Sequence, residues 1–310
     1  MLARLTCLLA VVLSGSVVAS AAHADTPACP AVSVTTVLRA SEPVLDWSEN
    51  VGFDADGNLW VARVVRNQLE RYDAHGRRTA TVAVTAPGAV RLGPDGWLYV
   101  TSGANPLYQI PGLRLGAVVR IDPAAATPVA VPFAVGLGMP NGLGFDAAGN
   151  VYVADSNWLS GVVRLRPDGT VDTAWTARAP RNFDILAGVD GYLLNGLAVS
   201  GAALYVSVSA SVHGRVLRIP IEAPERASVS AQITAGFAPV PGLADDLAAV
   251  GDYLYIATAV GRLARVDLRT GQTCTITWNQ PMTSVAAAPD RRDELTVGTE
   301  SGDVLRVRLR

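Results

Sequence analysis

Four residues with oxygen-bearing side chains stand at the same place in four copies of one recurring sequence pattern. They occur in the segments SENVGF, PNGLGF, LNGLAV and ADDLAA, and they are Glu49, Asn141, Asn195 and Asp245. Two further copies have Gly88 and Thr283 at this place. Ca²⁺ prefers carboxylate and amide oxygens in irregular shells of about six to eight ligands, whereas Zn²⁺ would require His or Cys. If the copies converge, these four residues (the ring residues) form a calcium site.

The recurring pattern predicts the fold that would bring them together. Each copy has an apolar strand, a tight turn and a second apolar or aromatic strand, and the copies cover residues 51–62, 90–101, 143–154, 197–207, 247–257 and 285–298. A third strand follows, with one Arg between apolar residues: Arg71, Arg120, Arg164, Arg218, Arg265 and Arg306. A weaker fourth strand follows in most copies. Six such units predict an all-β, six-bladed β-propeller, in which the ring residues lie at one mouth of the central channel.

The two ends of the chain are expected to close this propeller. The sixth copy contains three strands, and the segment VSVTTVL, residues 32–38, belongs to no copy. We therefore expect residues 32–38 to form the fourth strand of the last blade, beside residues 303–309.

The first 24 residues have the features of a secretory signal peptide. MLAR supplies a positive start, LTCLLAVVLSGSVVA an apolar stretch, and AHA a small-residue cleavage site. We expect residues 25–310 to be an exported, soluble, single-domain propeller. Export leaves two cysteines, Cys29 on the segment before the closing strand and Cys274 on the outer strand of blade five, which predict a disulfide. Two unpaired thiols are the alternative.

Composition excludes several function classes. The chain has 310 residues and a net charge of −2, so electrostatics favour neither nucleic acid nor an anionic membrane as a partner. It contains no Lys, which excludes a Schiff-base lysine and a phosphate-loop lysine. No Gly-x-Ser-x-Gly motif is present. We expect a monomer that acts on a small molecule.

Loops at the ring mouth are the candidates for substrate binding. The loop of residues 101–116 is long and apolar and contains Tyr108, which indicates a pocket wall or a lid. Other loops predicted at this mouth contribute Trp158, Arg181, Phe183 and His213. Each has a simpler alternative as a loop or blade-capping residue. Likewise, a single Asn-Gly or Asp often serves a turn, and only the alignment of four copies favours a metal.

The segments PNGLGFDAAGNVYVADS and TSVAAAPDRRDELTVGT resemble the regucalcin/gluconolactonase family (senescence-marker-protein-like) of six-bladed propellers. The ring also resembles that of the paraoxonases. The resemblance implies that Glu49, Asn141, Asn195 and Asp245 bind one Ca²⁺, with Asp246 as a further ligand, and that Asp245 is the general base, with Asp246 as the alternative. The sequence departs from the paraoxonases because Gly88 stands in blade two and their histidine dyad is absent.

The sequence thus supports a secreted calcium-dependent hydrolase of lactones or related esters, in which the metal polarises the carbonyl and a channel Asp activates water. Two alternatives remain open. One is a non-catalytic propeller that binds a ligand or partner around a structural calcium. The other is a family member that catalyses a biosynthetic isomerisation or cyclisation.

Overall fold

The computed structural model describes residues 29–182, 191–234 and 242–310. The predicted signal peptide, residues 1–24, and the candidate Phe183 lie outside these residues. Within them the chain forms 23 strands, one short α-helix and two 3-10 helices, Pro106–Gln109 and Pro224–Arg226. No helix in the described ranges is long and apolar enough to cross a membrane.

The strands form six small antiparallel sheets, and each sheet is one blade. Blade one contains β2 (Ser48–Phe53), β3 (Leu59–Arg63), β4 (Gln68–Tyr72) and β5 (Arg78–Ala83). Blade two contains β6 (Pro87–Leu92), β7 (Leu98–Ser102), β8 (Gly116–Ile121) and β9 (Ala130–Leu137). Blade three contains β10 (Pro140–Phe145), β11 (Val151–Asp155) and β12 (Val162–Leu165), followed by α1 (Thr173–Thr176).

The second half of the ring repeats the arrangement. Blade four contains β13 (Leu194–Ser200), β14 (Ala203–Val208), β15 (Arg215–Pro220) and β16 (Ser228–Gln232). Blade five contains β17 (Ala244–Val250), β18 (Tyr253–Thr258), β19 (Arg262–Asp267) and β20 (Thr273–Trp278). Blade six contains β21 (Met282–Ala288), β22 (Arg291–Thr299), β23 (Val304–Leu309) and, at its outer edge, β1 (Val32–Leu38). The inner strands β2, β6, β10, β13, β17 and β21 contact one another in ring order.

Both predicted closures at the chain ends are confirmed. Strand β1 pairs antiparallel with β23, with Val32 opposite Leu309 and Val34 opposite Val307. Cys29 and Cys274 form a disulfide with their Cα atoms 5.8 Å apart. Because Cys274 lies on the outer strand of blade five, the bridge joins the segment before β1 to the neighbouring blade.

The blades bury their faces against one another. The cluster between blades three and four includes Tyr152, Leu197 and Leu217, all nearly inaccessible to solvent. In blade three, α1 stands where the other sheets have a fourth strand. Its Trp175 packs edge-on against Tyr152, with the ring centres 5.2 Å apart, and its indole N–H donates to the carbonyl of Ile221 at 2.6 Å. A buried Trp therefore replaces the outer strand here.

The Arg that recurs in the third strands has a structural role. In blade one, Arg71 pairs across the sheet with Trp60 and lies 5.6 Å from the centre of its ring. In blade three, Arg164 has the same relation to Tyr152, at 5.8 Å. Such cation–π contacts contribute modestly to stability, so the repeated arginines belong to the scaffold.

Candidate metal centre at the channel mouth

The ring residues lie where the inner strands depart from regular pairing. All six inner strands show a register shift at this end, for example between Ser48 and Asn50 in β2 and between Leu194 and Leu197 in β13. An extra residue opposite a single partner bends the strand and re-aims a side chain. The irregularity allows a ring side chain to leave the pleat and face the channel.

Hydroxyl groups tie four of the blades to the inner strand of the next blade at the same level. Five of them donate to a carbonyl at the start of that strand: Thr101 to Asn141, Ser156 to Leu194, Ser207 to Asp245, Ser209 to Ala244, and Thr283 to Ser48. A buried hydroxyl with a partner contributes about 1 kcal/mol, and an unpaired carbonyl costs more. These bonds therefore fix the ring-bearing ends of the blades relative to one another.

A glycine follows the ring amide in blades three and four and allows the backbone of the next blade to approach closely. A Cβ on Gly142 would lie 2.3 Å from the backbone N of Leu197 and 2.4 Å from the carbonyl O of Asn195. A Cβ on Gly196 would lie 2.5 Å from the Cα of Asp246. Both Asn-Gly pairs lie inside strands, β10 and β13, so the turn alternative for these pairs is wrong. The glycines are there because the next blade's backbone passes against them.

Asn195 and Asp245 are in direct contact. The Asn195 Nδ2 donates to Asp245 Oδ1 at 2.8 Å and to Ser209 Oγ at 2.9 Å. These two bonds orient the amide, since both of its N–H groups have acceptors and its Oδ1 is left to accept. The second carboxylate oxygen of Asp245, Oδ2, takes no part in the hydrogen bond with Asn195.

Asn141 is oriented in a similar way. Its Nδ2 donates to Ser156 Oγ at 3.3 Å, and its side chain is buried. Its Oδ1 lies 3.5 Å from the position of a Cβ on Gly88. The absence of a side chain at Gly88 therefore leaves space beside the amide oxygen of the neighbouring blade.

The carboxylates at this mouth repel one another. Burial raises the pKa of Glu49 to about 7, and the negative charges of Asp246 and Glu300 add to the increase, against a hydrogen bond from the Trp47 indole that lowers it. Burial also raises the pKa of Asp245 well above its ordinary value, with further contributions from Glu49, Asp246 and Glu300. Such shifts mark carboxylates whose charge lacks compensation.

These residues fit a hard divalent cation. Within the described residues no group of three or more His, Cys, Asp or Glu side chains forms a metal cluster. The ring instead combines two carboxylates with two amide oxygens that their own hydrogen bonds leave accepting. The donor set is all oxygen, and the uncompensated charge of Glu49 and Asp245 is what a cation would offset.

Asp246 faces a different environment. Its carboxylate accepts from Arg91 Nη2 at 2.9 and 2.8 Å and from Asn50 Nδ2 at 2.9 Å, and it is 3 % exposed. Both oxygens are therefore engaged in an ion pair. Of the two adjacent acids, Asp245 is the one with an oxygen available to a substrate or a cation.

Sequence reasoning missed three residues of this region. Glu300 follows the second strand of the last copy, and Asn50 and Arg91 lie on inner strands beyond the ring position. The loop after each second strand returns to the ring mouth, so the position of Glu300 could have been noticed. At the place of Arg91 the other five copies have Gly or Ala, so its charge is a visible departure from the repeat, but its partner on the opposite blade could not be predicted from the sequence.

Two of the predicted substrate-binding residues lie on loops that are fastened together. Tyr108 lies in the Pro106–Gln109 helix, and the backbone N–H of Trp158 donates to Gln109 at 3.3 Å. The Asn157 amide also donates to the carbonyls of Tyr108 and Ile110 at 2.7 and 2.8 Å. Because Asn157 follows Ser156, which holds Asn141, the apolar loop is connected directly to the ring.

The remaining candidates within the described residues are Arg181 and His213. Arg181 is exposed and bridges to Gly161 across the end of blade three. His213 is half-buried in the loop between β14 and β15. The contact that places Arg181 is made by its neighbour Asn182, whose Oδ1 accepts from the N–H of Leu194 at 2.8 Å, beside Asn195.

A cavity of about 710 Å³ lies at the opposite mouth of the channel. All six inner strands line it, mainly with apolar side chains such as Phe53, Leu143, Phe145 and Leu197, and Arg91 is also among its lining residues. None of the ring residues contributes to it. The channel therefore has the acidic ring at one mouth and an apolar cavity at the other, with Arg91 among the residues that line the cavity.

The fold and the acidic channel mouth define the class of protein, a six-bladed β-propeller with a candidate cation site. No model of a known protein family matches the chain, and no curated protein matches it either. Solved structures do match, at low sequence identity. A gluconolactonase from Xanthomonas campestris superposes with a TM-score of 0.65 at 17 % identity, covering 91 % of this chain and 95 % of that one.

Two further structures show the range of proteins with this fold. A calcium-binding regucalcin from Agrobacterium tumefaciens has a TM-score of 0.62 at 17 % identity, covering 89 % of this chain and 94 % of that one. A virginiamycin B lyase from Staphylococcus aureus has a TM-score of 0.53 at 13 % identity, covering 84 % and 80 %. The predicted resemblance to the gluconolactonase and regucalcin group is thus confirmed for the fold.

Proposed function

We propose that this protein is a calcium-dependent hydrolase of lactones or related esters. The observation that carries the proposal is the set of uncompensated carboxylates and oriented amides at one channel mouth, Glu49, Asp245, Asn141 and Asn195. Glu49, Asp245 and the two amide oxygens would hold the ion. When bound, the ion supplies a Lewis acid that polarises a carbonyl oxygen.

The chain's own residues divide the remaining work. Asp245 has one oxygen fixed by Asn195 at 2.8 Å, so the other is free to take a proton from the attacking water. The hydrogen bonds of Asn195 to Ser209 and of Asn141 to Ser156 keep both amides from rotating. Tyr108 and Trp158 would form one wall for the substrate, because their loops are fastened to the blade that carries Asn141.

The gluconolactonase with the same fold supports the reaction class, and the calcium-binding regucalcin supports the metal. The likeness to the lyase supports an alternative reaction. In that alternative Asp245 would remove a proton from carbon rather than from water, which the product of the reaction would reveal by its unchanged mass.

A panel of lactones and aryl esters tests the proposal. We expect turnover of at least one ring size, its loss in excess chelator, and its recovery when calcium is returned. Calcium binding without turnover of any ester would instead support the non-catalytic propeller with a structural ion. A protein that binds no calcium would contradict the proposed site itself.

We also propose that the protein acts after export, as a monomer, on a small molecule and without a nucleic-acid or membrane partner. The net charge of −2, the disulfide and the sequence of residues 1–24 support this proposal. Expression with the full leader, followed by N-terminal sequencing of protein from the medium or periplasm, should give a chain that starts at Asp25. Retention of the leader on cytoplasmic protein would contradict it.

A further inference from the structure

Arg91 spans the central channel. It lies on β6 of blade two, and its Nη2 donates to both oxygens of Asp246 on β17 of blade five, at 2.9 and 2.8 Å. In a ring of six blades, blades two and five stand opposite each other. The ion pair therefore crosses the full width of the channel.

Asn50 from blade one completes this cross-link. Its Oδ1 accepts from Arg91 Nη1 at 2.7 Å and from the backbone N–H of Val90 at 3.2 Å, while its Nδ2 donates to Asp246 Oδ2 at 2.9 Å. Arg91 Nη1 also donates to the carbonyl of Val90 at 3.0 Å. Both ends of the Asn50 amide are used, and three blades are held at one level of the channel.

The cross-link lies between the ring and the apolar cavity. Arg91 lines the apolar cavity on one side. On the other side, Asp246 is near enough to Glu49 and Asp245 for its negative charge to raise the pKa of each. The guanidinium is always protonated, so it places a permanent positive charge directly beneath the ring.

Stability alone is a weak reason for such a cross-link. A buried ion pair gains little over apolar residues of similar size, because both charges lose their hydration. Apolar residues fill the neighbouring positions on the inner strands, as Val90 and Leu247 show. The pair instead lies where its charges can act on a cation at the ring.

We propose that Arg91 is a positioning residue that sets the cation affinity of the ring. By engaging both oxygens of Asp246, it withholds that carboxylate from the ion and offsets its charge, so that Glu49 and Asp245 supply the charge that binds. This inference rests on the proposed function to the extent that the ring holds a divalent cation.

Calcium affinity, measured by titration calorimetry on Arg91→Met and Asp246→Asn, tests this proposal. Removing the guanidinium exposes the ring to the charge of Asp246, so Arg91→Met should bind calcium about tenfold more tightly. Asp246→Asn leaves the guanidinium without its counter-charge, so its affinity should fall about tenfold. The double variant should return to within about threefold of the wild-type value, because the two charges are removed together.

Effects of opposite sign separate this role from a structural one. If the pair only holds the blades, both single variants bind calcium more weakly, and the proposal is overturned. Equal affinity in all four proteins also overturns it. Should Arg91→Met fail to fold, Arg91→Gln takes its place, because it also removes the positive charge but keeps a hydrogen-bond donor. It should bind calcium more tightly than the wild type, and weaker or equal binding overturns the proposal.

The same titrations distinguish this inference from the proposed function. Wild-type protein that binds calcium but hydrolyses no ester contradicts the proposed hydrolase. The changes in calcium affinity caused by Arg91→Met and Asp246→Asn can still be measured in that case, and their signs still decide the inference. Active, calcium-binding protein without the opposite signs contradicts only the inference. Protein that binds no calcium overturns both.

Discussion

The two ends of the six inner strands carry opposite chemistry, although each strand is only six or seven residues long. At the ring end, burial and neighbouring acids raise the pKa of Glu49 and Asp245. At the other end, burial would raise the pKa of Asp146, but hydrogen bonds from the Asn150 amide and the Tyr152 hydroxyl, both 2.8 Å long, hold it below its ordinary value.

The two ends differ in which residues offset the charge of the carboxylates. Asp146 is satisfied by its own turn and the adjacent strand of its own blade, so its charge serves the scaffold. Glu49 and Asp245 face acids that include residues from other blades, and the hydrogen bond that the Trp47 indole donates to Glu49 offsets this charge only in part. A carboxylate that remains uncompensated after folding is the one with free energy to gain from a ligand.

The largest effect is expected from Asp245→Asn. The substitution keeps an oxygen that can bind a cation but removes the base, so turnover should fall by about 100- to 10,000-fold. Asp252→Asn is a matched control, because Asp252 is exposed at the opposite end of the same blade. Steady-state kinetics on an accepted lactone, with melting curves for both variants, makes the measurement. Activity that follows the folded fraction in Asp245→Asn would give this residue a structural role only.

A second pair of variants compares the two ends of β10. Gly142→Ala places a methyl group 2.3 Å from a backbone N of the next blade, whereas Gly144→Ala meets the side-chain methyls of Leu197 and Val199 at 2.9 and 3.0 Å. Side chains can adjust and backbone cannot, so the free energy of unfolding should fall by about 3 kcal/mol or more for Gly142→Ala and about 1 kcal/mol for Gly144→Ala. Denaturant titration of both proteins measures these free energies. Equal losses of stability would contradict the expectation that the ring end of β10 is packed against backbone and the other end against side chains.

The raised carboxylate pKa values predict how the metal-free protein responds to pH. Glu49 has an ordinary pKa of 4.5 and a folded value of about 7, so between these values the folded state holds more protons than the unfolded state. The stability that Glu49 contributes is therefore present below 4.5 and is lost as the pH rises through about 7. In chelator, the melting temperature should fall by a few degrees over this window.

Calcium should reverse this trend. Because the ion binds the charged carboxylates, it should raise the melting temperature more at about pH 8 than at about pH 5. Calorimetric scans at both pH values, with calcium and with chelator, give the comparison. A calcium effect that is the same at both pH values would show that Glu49 and Asp245 are not where the ion binds.

The smallest effect concerns the hydroxyls that orient the ring. Ser156→Ala removes the acceptor of the Asn141 amide, while Thr101→Val removes a hydroxyl that binds only the backbone of Asn141 and Ala89. Each should cost about 1 kcal/mol of stability, but only Ser156→Ala should weaken calcium binding, by about threefold to tenfold. Titration calorimetry on both variants tests this, and equal calcium affinities would mean that Ser156 does not orient the ring.

Much of the architecture could be predicted from local patterns. Alternation with a period of two and regular turn residues identify strands, and six equivalent copies require a ring, since each blade buries its faces only against a neighbour. Counting the strands in the last copy identified β1 as its missing member. The two cysteines then lie on adjacent blades, and their bridge followed from that placement.

The sequence by itself determined which residues stand at the channel mouth, because position within a repeat becomes height in the propeller. Only the tertiary structure decided where each side chain points and what it meets. Asp245 and Asp246 are neighbours in sequence, yet one contacts Asn195 and the other crosses the channel to Arg91. The repeat pattern does not predict this difference between the two acids, because it depends on the strand irregularity at the ring and on a partner from the opposite blade. Glu300, α1 and the close packing at Gly142 have the same origin in how separate blades meet.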